Sequence, residues 1–536
     1  MWRKLAVFAS LAAATALSPA APAAQNGGAV SLVVVVVVDQ MRADYLTTFA
    51  SRWHGGFRTL LTQGADFANA EYPYWSTITC AGHTSIATGT LPRTHGMILN
   101  RWWDRGERRV ITCNDDLDAT AVSYQRPAVS NASARRMLVT TLADELRAQK
   151  PGARVVSLSL KPRSAIGLAG HGGDAVVWFD EPSRSFVTST AFAPAPVPDV
   201  ARFFADDSFE AEQHREWQLA APADSYQYGD ALPGERPDRG WTTLFPHRIA
   251  GGAGVDAVFA DHWQKSPLSD AYLGRLAARL IDQWQLGQRG TTDFLGVSFS
   301  ALDMVGHDFG PRSREVEDIL IHLDATIGAL IEHLDRSVGR DRYLLALTSD
   351  HGVAVIPEQH GAGRIANEDL GAVVEQALVQ TWGAPSQGTY VAASLGGQIY
   401  FAEGLFDRWR MSPAAVRAVE LALREVPGLA RVVRRDQIDR GDAVTRAIAR
   451  GYVADRSGDL FMVPERGWII EQRVDGDATT HGTMHDYDAR VPLLLLGAGV
   501  RPGRSTEAVT PLDIAPTLAR AAGVTLSGRD GRPLLP

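Results

Sequence analysis

The sequence contains little cysteine, and this limits the classes of protein that it can encode. Cys80 and Cys113 are the only cysteines among 536 residues, so a disulfide-rich scaffold and a cysteine-based zinc finger are excluded. In an oxidising compartment two thiols are enough for one bond, and we predict a disulfide between Cys80 and Cys113. This prediction depends on a side-chain geometry that the sequence does not contain.

The chain also lacks an excess of basic residues. With 53 Lys and Arg against 61 Asp and Glu, its formal net charge is −8. Proteins bind nucleic acids largely by neutralising many phosphates, so this balance argues against nucleic acid as a bulk partner. A local basic site that binds one phosphate group is still compatible with it.

No apolar run reaches the roughly 20 residues that a membrane-spanning helix needs. The stretch Leu5 to Leu17 is shorter, follows the basic residues Arg3 and Lys4, and precedes small residues at Ala21 to Ala23. This order is typical of a secretory signal peptide, whereas an N-terminal anchor is the less favoured alternative. We predict a signal peptide at residues 1–24 and a periplasmic or secreted mature protein without a stable membrane anchor.

Apolar runs that end in polar residues alternate with helical patterns along the chain. The alternation predicts an α/β/α sandwich with a central, mainly parallel sheet, and ligands of such sheets bind beyond the carboxyl ends of the strands. The predicted strands are Leu32–Val38, Ala153–Leu160, Asp293–Phe299, Tyr343–Thr348 and Val491–Leu496, and the helical patterns are Arg135–Gln149, Tyr272–Leu286 and Val316–Leu334.

Two stretches interrupt this alternation within one large domain, residues 25–536. Residues 192–270 are rich in Pro, Asp, Gly and aromatics with weak periodicity, and we predict loops over one rim of the sheet. Residues 376–468 combine strand patterns within Gly388–Phe401 with a helical pattern at Pro413–Val426. We predict that this second insertion is a cap subdomain.

Carboxylates and histidines cluster at the predicted strand ends and in one glycine-bordered loop. A single Asp after a strand is more often a turn or helix cap, but four such sites along one chain indicate a common ligand. Carboxylate oxygens and imidazole nitrogens suit Zn, Mn or Fe rather than Ca or Mg alone. Six ligands divide naturally between two metal ions, and the six are Asp39, Asp303, His307, Asp350, His351 and His481.

A hydroxyl-rich segment, Trp75 to Ser85, precedes a helical pattern. A hydroxyl at a helix N-terminus lies near free N–H groups and the positive end of the dipole, where an anion is favoured. An ordinary Ser/Thr helix cap is the alternative interpretation. The pattern does not separate the three candidates Ser76, Thr77 and Thr79.

Taken together, these residues resemble the alkaline phosphatase superfamily, and within it the nucleotide pyrophosphatase/phosphodiesterase-like branch. In that branch the nucleophilic Thr lies four residues before a His, which implies Thr79 with His83. The resemblance implies that Asp303, His307 and His481 bind one metal, and that Asp39, Asp350 and His351 bind the other, with the Thr79 oxygen beside it. It extends over Val38–Arg42, Thr79–His83, Pro92–Gly96, Ser300–Gly310, Ser349–Gly352, His481–Gly482 and Pro511–Thr517.

Within this branch the chain is similar to bacterial alkaline phosphatases with a threonine nucleophile, the PafA type. The discriminating stretches are Ser159–Arg163, Gly170–His171 and Trp178–Asp180. The resemblance implies that Lys161, Arg163 and Asn100 contact the phosphoryl group, whereas the diesterases lack the Lys/Arg pair. Cys80, directly after the nucleophile, is a mild departure from the pattern.

The implied function is an alkaline phosphatase that hydrolyses small-molecule phosphate monoesters through a phosphothreonine at a two-zinc site. A phosphodiesterase or nucleotide pyrophosphatase of the same superfamily is the main alternative. A sulfatase would carry Cys/Ser-x-Pro-x-Arg, which Cys80 to Thr84 does not match, and a binding protein would need no nucleophile. We favour a monomer.

Lys161 and Arg163 are the residues that distinguish a monoesterase from a diesterase. Residues i and i+2 of an extended segment point to the same side, and Pro162 disfavours helix at Lys161. We therefore expect Lys161 and Arg163 to converge from an extended segment on one phosphoryl oxygen. A diester carries an organic group at that oxygen, so the pair predicts a preference for monoesters.

Overall fold

The computed structural model describes residues 30–250, 254–438 and 441–535. The signal peptide predicted at residues 1–24 lies outside this part of the chain. Among the helices of the described residues, none is long and apolar enough to cross a membrane.

A mixed sheet of ten strands lies at the centre of the described chain. Its middle five strands are parallel, which confirms the predicted α/β class. The predicted strand at Val491–Leu496 is present as Leu493–Gly497, but it runs antiparallel to its neighbour. Across the sheet the strands are Gly503–Ser505, Ala65–Phe67, Leu493–Gly497, Tyr343–Thr348, Leu32–Val38, Asp293–Phe299, Val155–Ser159, Ala175–Asp180, Ser185–Ser189 and Ala121–Ser123.

The central strand Leu32–Val38 is buried on both faces because alternate side chains enter two different cores. Leu32, Val34 and Val36 pack in one core, and the intervening valines pack in the other. Each fully buried valine contributes about 1.5–3 kcal/mol to stability. The first core is covered by helices Gly56–Gln63, Pro267–Trp284, Ala301–Phe309 and Arg314–Ser337, and the second by Thr79–Thr88, Leu142–Gln149, Pro162–Ala169 and Ile514–Ala522.

The helical pattern predicted at Arg135–Gln149 begins later than expected. The helix spans Leu142–Gln149 because Thr141 and Asp144 form a capping box at its start. In this motif the Thr141 side chain accepts from the backbone N–H of Asp144, and the Asp144 side chain accepts from the backbone N–H of Thr141. The two bonds fix the first turn of the helix. The preceding residues, 135–141, are irregular.

The first insertion is more than a set of rim loops. Residues 192–270 include helices Pro198–Asp206 and Ala257–Gln264, and their aromatic side chains enter the core on one face of the sheet. Phe209 and Trp263 lie with ring centroids 4.8 Å apart. The prediction of loops is therefore wrong for these helices, because a clustered set of aromatics supplies burial that weak periodicity does not reveal.

The second insertion contains its own antiparallel sheet and core. Within the described residues its strands, in order, are Val391–Leu395, Gln398–Phe401, Leu460–Pro464 and Leu429–Arg434. Helices Asn367–Trp382 and Pro413–Arg424 pack on it through a separate apolar cluster. The predicted strands and helix are present, although the first helix begins before residue 376. We call this unit, residues 367–468, the second sheet unit.

Shorter elements connect these layers. Cys80, in helix Thr79–Thr88, forms the predicted disulfide with Cys113, with Cα atoms 6.6 Å apart. The remaining elements of four or more residues are strands Arg101–Asp104 and Arg109–Thr112, helices Tyr45–Thr48, Pro92–His95, Leu405–Arg410, Ala443–Gly451 and Asp486–Ala489, and the 3₁₀ helix Phe209–Glu212.

Candidate active site

Three carboxylates lie at one edge of the sheet, where parallel central strands end. Asp39 directly follows Leu32–Val38, Asp350 follows Tyr343–Thr348, and Asp303 lies in the first turn of helix Ala301–Phe309. All three are buried, with 0–3% of their surface exposed. The sequence places them correctly because parallel register brings the carboxyl ends of neighbouring strands together.

Three histidines orient the same ring nitrogen toward the carboxylates. Each Nδ1 lies at hydrogen-bond distance from a backbone carbonyl, so Nε2 is the ring nitrogen that faces the cluster. His307 Nε2 lies 3.3 Å from Asp303 Oδ1. The Nδ1 contacts are His307 with Thr479 O at 2.9 Å, His351 with Gly352 O at 3.0 Å, and His481 with Thr77 O at 2.9 Å.

The predicted ligands come together as two groups that share one histidine. Asp39, Asp350 and His351 have ligand atoms within 4.8 Å of one another, and so do Asp303, His351 and His481. The rings of His351 and His481 stack at 3.4 Å. The family resemblance assigns His307 rather than His351 to the second group, and His307 Nε2 lies 3.3 Å from the same Asp303 carboxylate.

Lys161 connects the two groups. Its Nζ donates to Asp39 Oδ2 at 2.7 Å and also to Asp303 Oδ2. Burial, followed by the charges of Asp303 and Asp350, raises the pKa of Asp39 well above its usual value. Burial acts on Asp303 too, but Lys161 and His307 outweigh it and hold the pKa of Asp303 well below its usual value. The cluster is therefore a buried acidic site that needs positive charge.

Two carboxylate oxygens fit metal ligation. Asp39 Oδ1 is buried and accepts no hydrogen bond from the described residues, whereas most buried polar atoms in proteins have a partner. Asp350 Oδ2 is buried beside it, 3.2 Å from His83 Nδ1. Both oxygens face His351 Nε2, at 3.5 and 3.3 Å. Carboxylate oxygen with imidazole nitrogen is a donor set that zinc accepts, so these residues fit the predicted metal.

Thr79 is the first residue of helix Thr79–Thr88, as the hydroxyl-rich segment indicates. Its Oγ1 lies 3.4 Å from His351 Nε2, next to the shared ligand. Thr77 differs, because its hydroxyl donates to Thr483 O at 2.7 Å. The geometry thus separates Thr79 from Thr77, which the sequence pattern alone leaves equivalent.

His83, which the family resemblance pairs with Thr79, supports this arrangement through contacts that the resemblance does not assign. Its Nδ1 lies 3.0 Å from Thr79 O and 3.2 Å from Asp350 Oδ2. Its Nε2 lies 2.8 Å from Ser298 Oγ. The spacing of one helical turn between Thr79 and His83 is the signal that could have predicted this contact.

A cleft of about 810 Å³ opens over the site, and Asn100, Arg163, Asp303, His307 and His481 line it. Asn100 Oδ1 accepts from Cys80 N at 2.9 Å, which directs its amide nitrogen away from that bond. Arg163 Nε is buried without a hydrogen-bond partner among the described residues.

The expectation of one extended segment for Lys161 and Arg163 is wrong. Lys161 is extended, with φ −101° and ψ 130°, but Arg163 lies in the first turn of helix Pro162–Ala169. Pro162 takes the first helical position, where its fixed φ favours a helix and its missing N–H costs nothing. The Lys161 ammonium contacts carboxylates, and Arg163 lines the cleft.

The opposite wall of the cleft comes mainly from the second sheet unit and the segment after it. Residues 392–397 form one part of this wall, and Glu471, Arg473, Asp475 and Asp477 form another. Asp477 Oδ2 lies 3.4 Å from His307 Nδ1, so this wall reaches the ligand cluster.

Comparison with known proteins gives one consistent family. The family model described as type I phosphodiesterase / nucleotide pyrophosphatase matches residues 33–488. Alkaline phosphatase PhoV of Synechococcus elongatus is 32% identical over 91% of this chain and 89% of its own length. Alkaline phosphatase PafA of Elizabethkingia meningoseptica is 30% identical over 94% of this chain and 93% of its own length.

The fold agrees with these relatives. The crystal structure of wild-type alkaline phosphatase PafA superposes with a TM-score of 0.83 at 29% identity, and the match covers 94% of this chain and 98% of that one. The chain belongs to the type I phosphodiesterase/nucleotide pyrophosphatase family.

Proposed function

We propose that this protein is an alkaline phosphatase that hydrolyses phosphate monoesters through a phosphothreonine at Thr79. The alkaline phosphatases PhoV and PafA match it over more than nine-tenths of its length. The observation that carries the proposal is the Thr79 hydroxyl, 3.4 Å from the Nε2 of His351, which belongs to both ligand groups.

Six side chains would hold two zinc ions. When bound, zinc lowers the pKa of a neighbouring hydroxyl and neutralises charge on phosphoryl and leaving-group oxygens. The residues would keep their ligand atoms aimed through the backbone contacts of the histidines and the buried setting of the carboxylates. They are Asp303, His307 and His481 for one ion and Asp39, Asp350 and His351 for the other, with Thr79 Oγ1 beside the second.

Thr79 supplies the nucleophile. The Thr79 hydroxyl gives up its proton to solvent, its Oγ1 forms a bond to phosphorus, the bond from phosphorus to the ester oxygen breaks, and that oxygen takes a proton from solvent as the alcohol leaves. Water then loses a proton and attacks phosphorus, the bond to Thr79 Oγ1 breaks to release phosphate, and Oγ1 regains its proton. The helix that begins at Thr79 favours the negative charge of this group through its N-terminal dipole.

Asn100, Lys161 and Arg163 would hold the non-bridging phosphoryl oxygens. Charge-assisted hydrogen bonds of this kind are stronger than neutral ones, and they count most where charge is concentrated. Arg163 supports this role through its position in the cleft and its Nε, which has no hydrogen-bond partner in the described part of the chain. Lys161 supports it through a cationic ammonium that adjoins both ligand groups.

Hydrolysis of phosphodiesters or nucleotide pyrophosphates is the second candidate, because the matching family model carries that description. The Lys161/Arg163 pair favours the monoester, whose dianion has one more charged oxygen. We further propose export to the periplasm or the medium, a monomer, and a capping role for the second sheet unit.

Trapping of the intermediate tests the proposal. Purified enzyme is mixed with p-nitrophenyl phosphate, quenched in acid and digested for peptide mass spectrometry, with metal analysis of the same sample. We expect one phosphoryl group on Thr79 and two zinc ions per chain. Phosphate on Thr77, or turnover by Thr79→Ala at the wild-type rate, would contradict it.

A further inference from the structure

Gln40 has a backbone conformation that its residue type rarely adopts. Its φ is +70°, in the left-handed region that is unfavourable for residues with a Cβ. Met41 N donates to Val38 O at 3.2 Å, so Gln40 is the third residue of a tight turn, where glycine would serve when φ is positive. Gln40 is also buried, with 1% of its surface exposed. We therefore expect a contact of the buried side chain to favour glutamine over glycine at this position.

The Gln40 side chain and backbone hold two of the carboxylates in the cluster. Nε2 donates to Asp303 Oδ1 at 2.9 Å and lies 3.3 Å from the Asp303 carbonyl oxygen. The backbone N–H of Gln40 donates to Asp350 Oδ1 at 3.2 Å. Asp303 belongs to one ligand group and Asp350 to the other, so Gln40 connects the two groups.

Gly306 provides the space for this amide. It lies inside helix Ala301–Phe309, which also carries Asp303, and glycine is less favourable than alanine inside a helix. An added Cβ at this position would overlap Gln40 Oε1. Gln40 is unfavourable at a positive φ and Gly306 is unfavourable inside a helix, but the missing side chain of Gly306 leaves room for the Gln40 amide.

We propose that Gln40 is a positioning residue that orients Asp303 and Asp350 for binding of two divalent cations. The proposal deepens the function proposed above and rests on its two-metal site. The oxygen that Gln40 holds, Asp303 Oδ1, is the one 3.3 Å from His307 Nε2, while Lys161 holds Oδ2. Loss of the Gln40 bond would free this carboxylate to rotate away from the histidines.

Three variants test this role. Gln40→Gly keeps the turn and removes the amide, whereas Gly306→Ala keeps the amide and displaces it. Gln285→Gly is the matched control, because Gln285 has φ +49° and is exposed at the end of helix Pro267–Trp284. Zinc is the probe: its stoichiometry and affinity are measured by competition with a chromophoric chelator, and thermal unfolding is measured on the metal-free proteins.

We expect Gln40→Gly and Gly306→Ala to weaken at least one zinc site by about 10-fold to 100-fold, the usual effect of removing a hydrogen-bond partner from a metal ligand. Metal-free Gln40→Gly should unfold near the wild-type temperature, and Gln285→Gly should bind zinc like wild type. Unchanged zinc affinity in both site variants would overturn the proposal, and so would strong destabilisation of metal-free Gln40→Gly. If wild type itself binds fewer than two zinc ions, the proposed function fails independently of Gln40.

Discussion

The two walls of the active-site cleft differ in how firmly their side chains are held. On the sheet side Asp39, Asp303 and Asp350 are almost completely buried. The histidines that face them have Nδ1 within 2.9–3.0 Å of backbone carbonyl oxygens. On the opposite side Arg473 and Asp475 contact each other at 3.0 Å with more than 60% of each side chain exposed. The sheet side is thus held in place by buried contacts, whereas the Arg473–Asp475 pair lies on the surface.

Removal of metal should have the largest effect on activity, because all six proposed ligands belong to the buried cluster on the sheet side. Chelation should abolish turnover of p-nitrophenyl phosphate, since buried carboxylates then lose the charge that the cluster needs. Zinc should restore activity better than magnesium, because three of the six ligands are imidazoles. Full activity of a metal-free sample, checked by elemental analysis, would break the comparison.

Thr79→Ala should remove most turnover but leave zinc binding and folding largely intact. The change deletes the nucleophile and one oxygen beside the metal site, and loss of a nucleophile typically lowers kcat by 10³-fold or more, to order of magnitude. Thr77→Ala is the control, because its hydroxyl bonds Thr483 O rather than the cluster. Retained activity in Thr79→Ala with loss in Thr77→Ala would reassign the nucleophile.

Combined replacement of Lys161→Ala and Arg163→Ala should lower kcat/KM for a monoester by at least about 10²-fold, because each charge-assisted contact is worth roughly 1.5–3 kcal/mol. Diester hydrolysis should change far less. Arg163→Ala alone sharpens the experiment, since Lys161 also contacts Asp39 and Asp303 and its loss can alter metal binding. Equal losses on both substrates would show that the pair supports structure or general phosphate binding.

Arg473→Ala, on the exposed wall, should have the smallest effect. Its ion pair with Asp475 is exposed, and such pairs contribute about 0–1 kcal/mol. We expect kcat with p-nitrophenyl phosphate and zinc content to stay near wild type, and KM to change by a few-fold at most. A large loss of kcat would show that this wall takes part in chemistry.

The sheet side was largely predictable from sequence, for a physical reason. Parallel strands carry their terminal residues to one edge, so Asp39, Asp303 and Asp350 could be placed from apolar runs alone. Thr79 at a helix start and the disulfide of Cys80 are also as predicted. The choice of Thr79 among three hydroxyls, however, came from family resemblance.

Other features depend on tertiary contacts that no local pattern contains. Arg163 was placed on an extended segment, but Pro162 starts a helix there. The Gln40 amide fits against Gly306, which is far away in sequence. The stacking of His351 on His481, which makes His351 common to both groups, likewise requires the folded loops.

The substrate preference of the wild-type enzyme shows whether the site is built for phosphate monoesters. Wild-type kcat/KM is measured for p-nitrophenyl phosphate and for methyl p-nitrophenyl phosphate, which share a leaving group, on enzyme with two zinc ions per chain. The account predicts a preference for the monoester on the order of 10²-fold or more, from the charge-assisted contacts to its third non-bridging oxygen. Equal rates, or a preference for the diester, would contradict it.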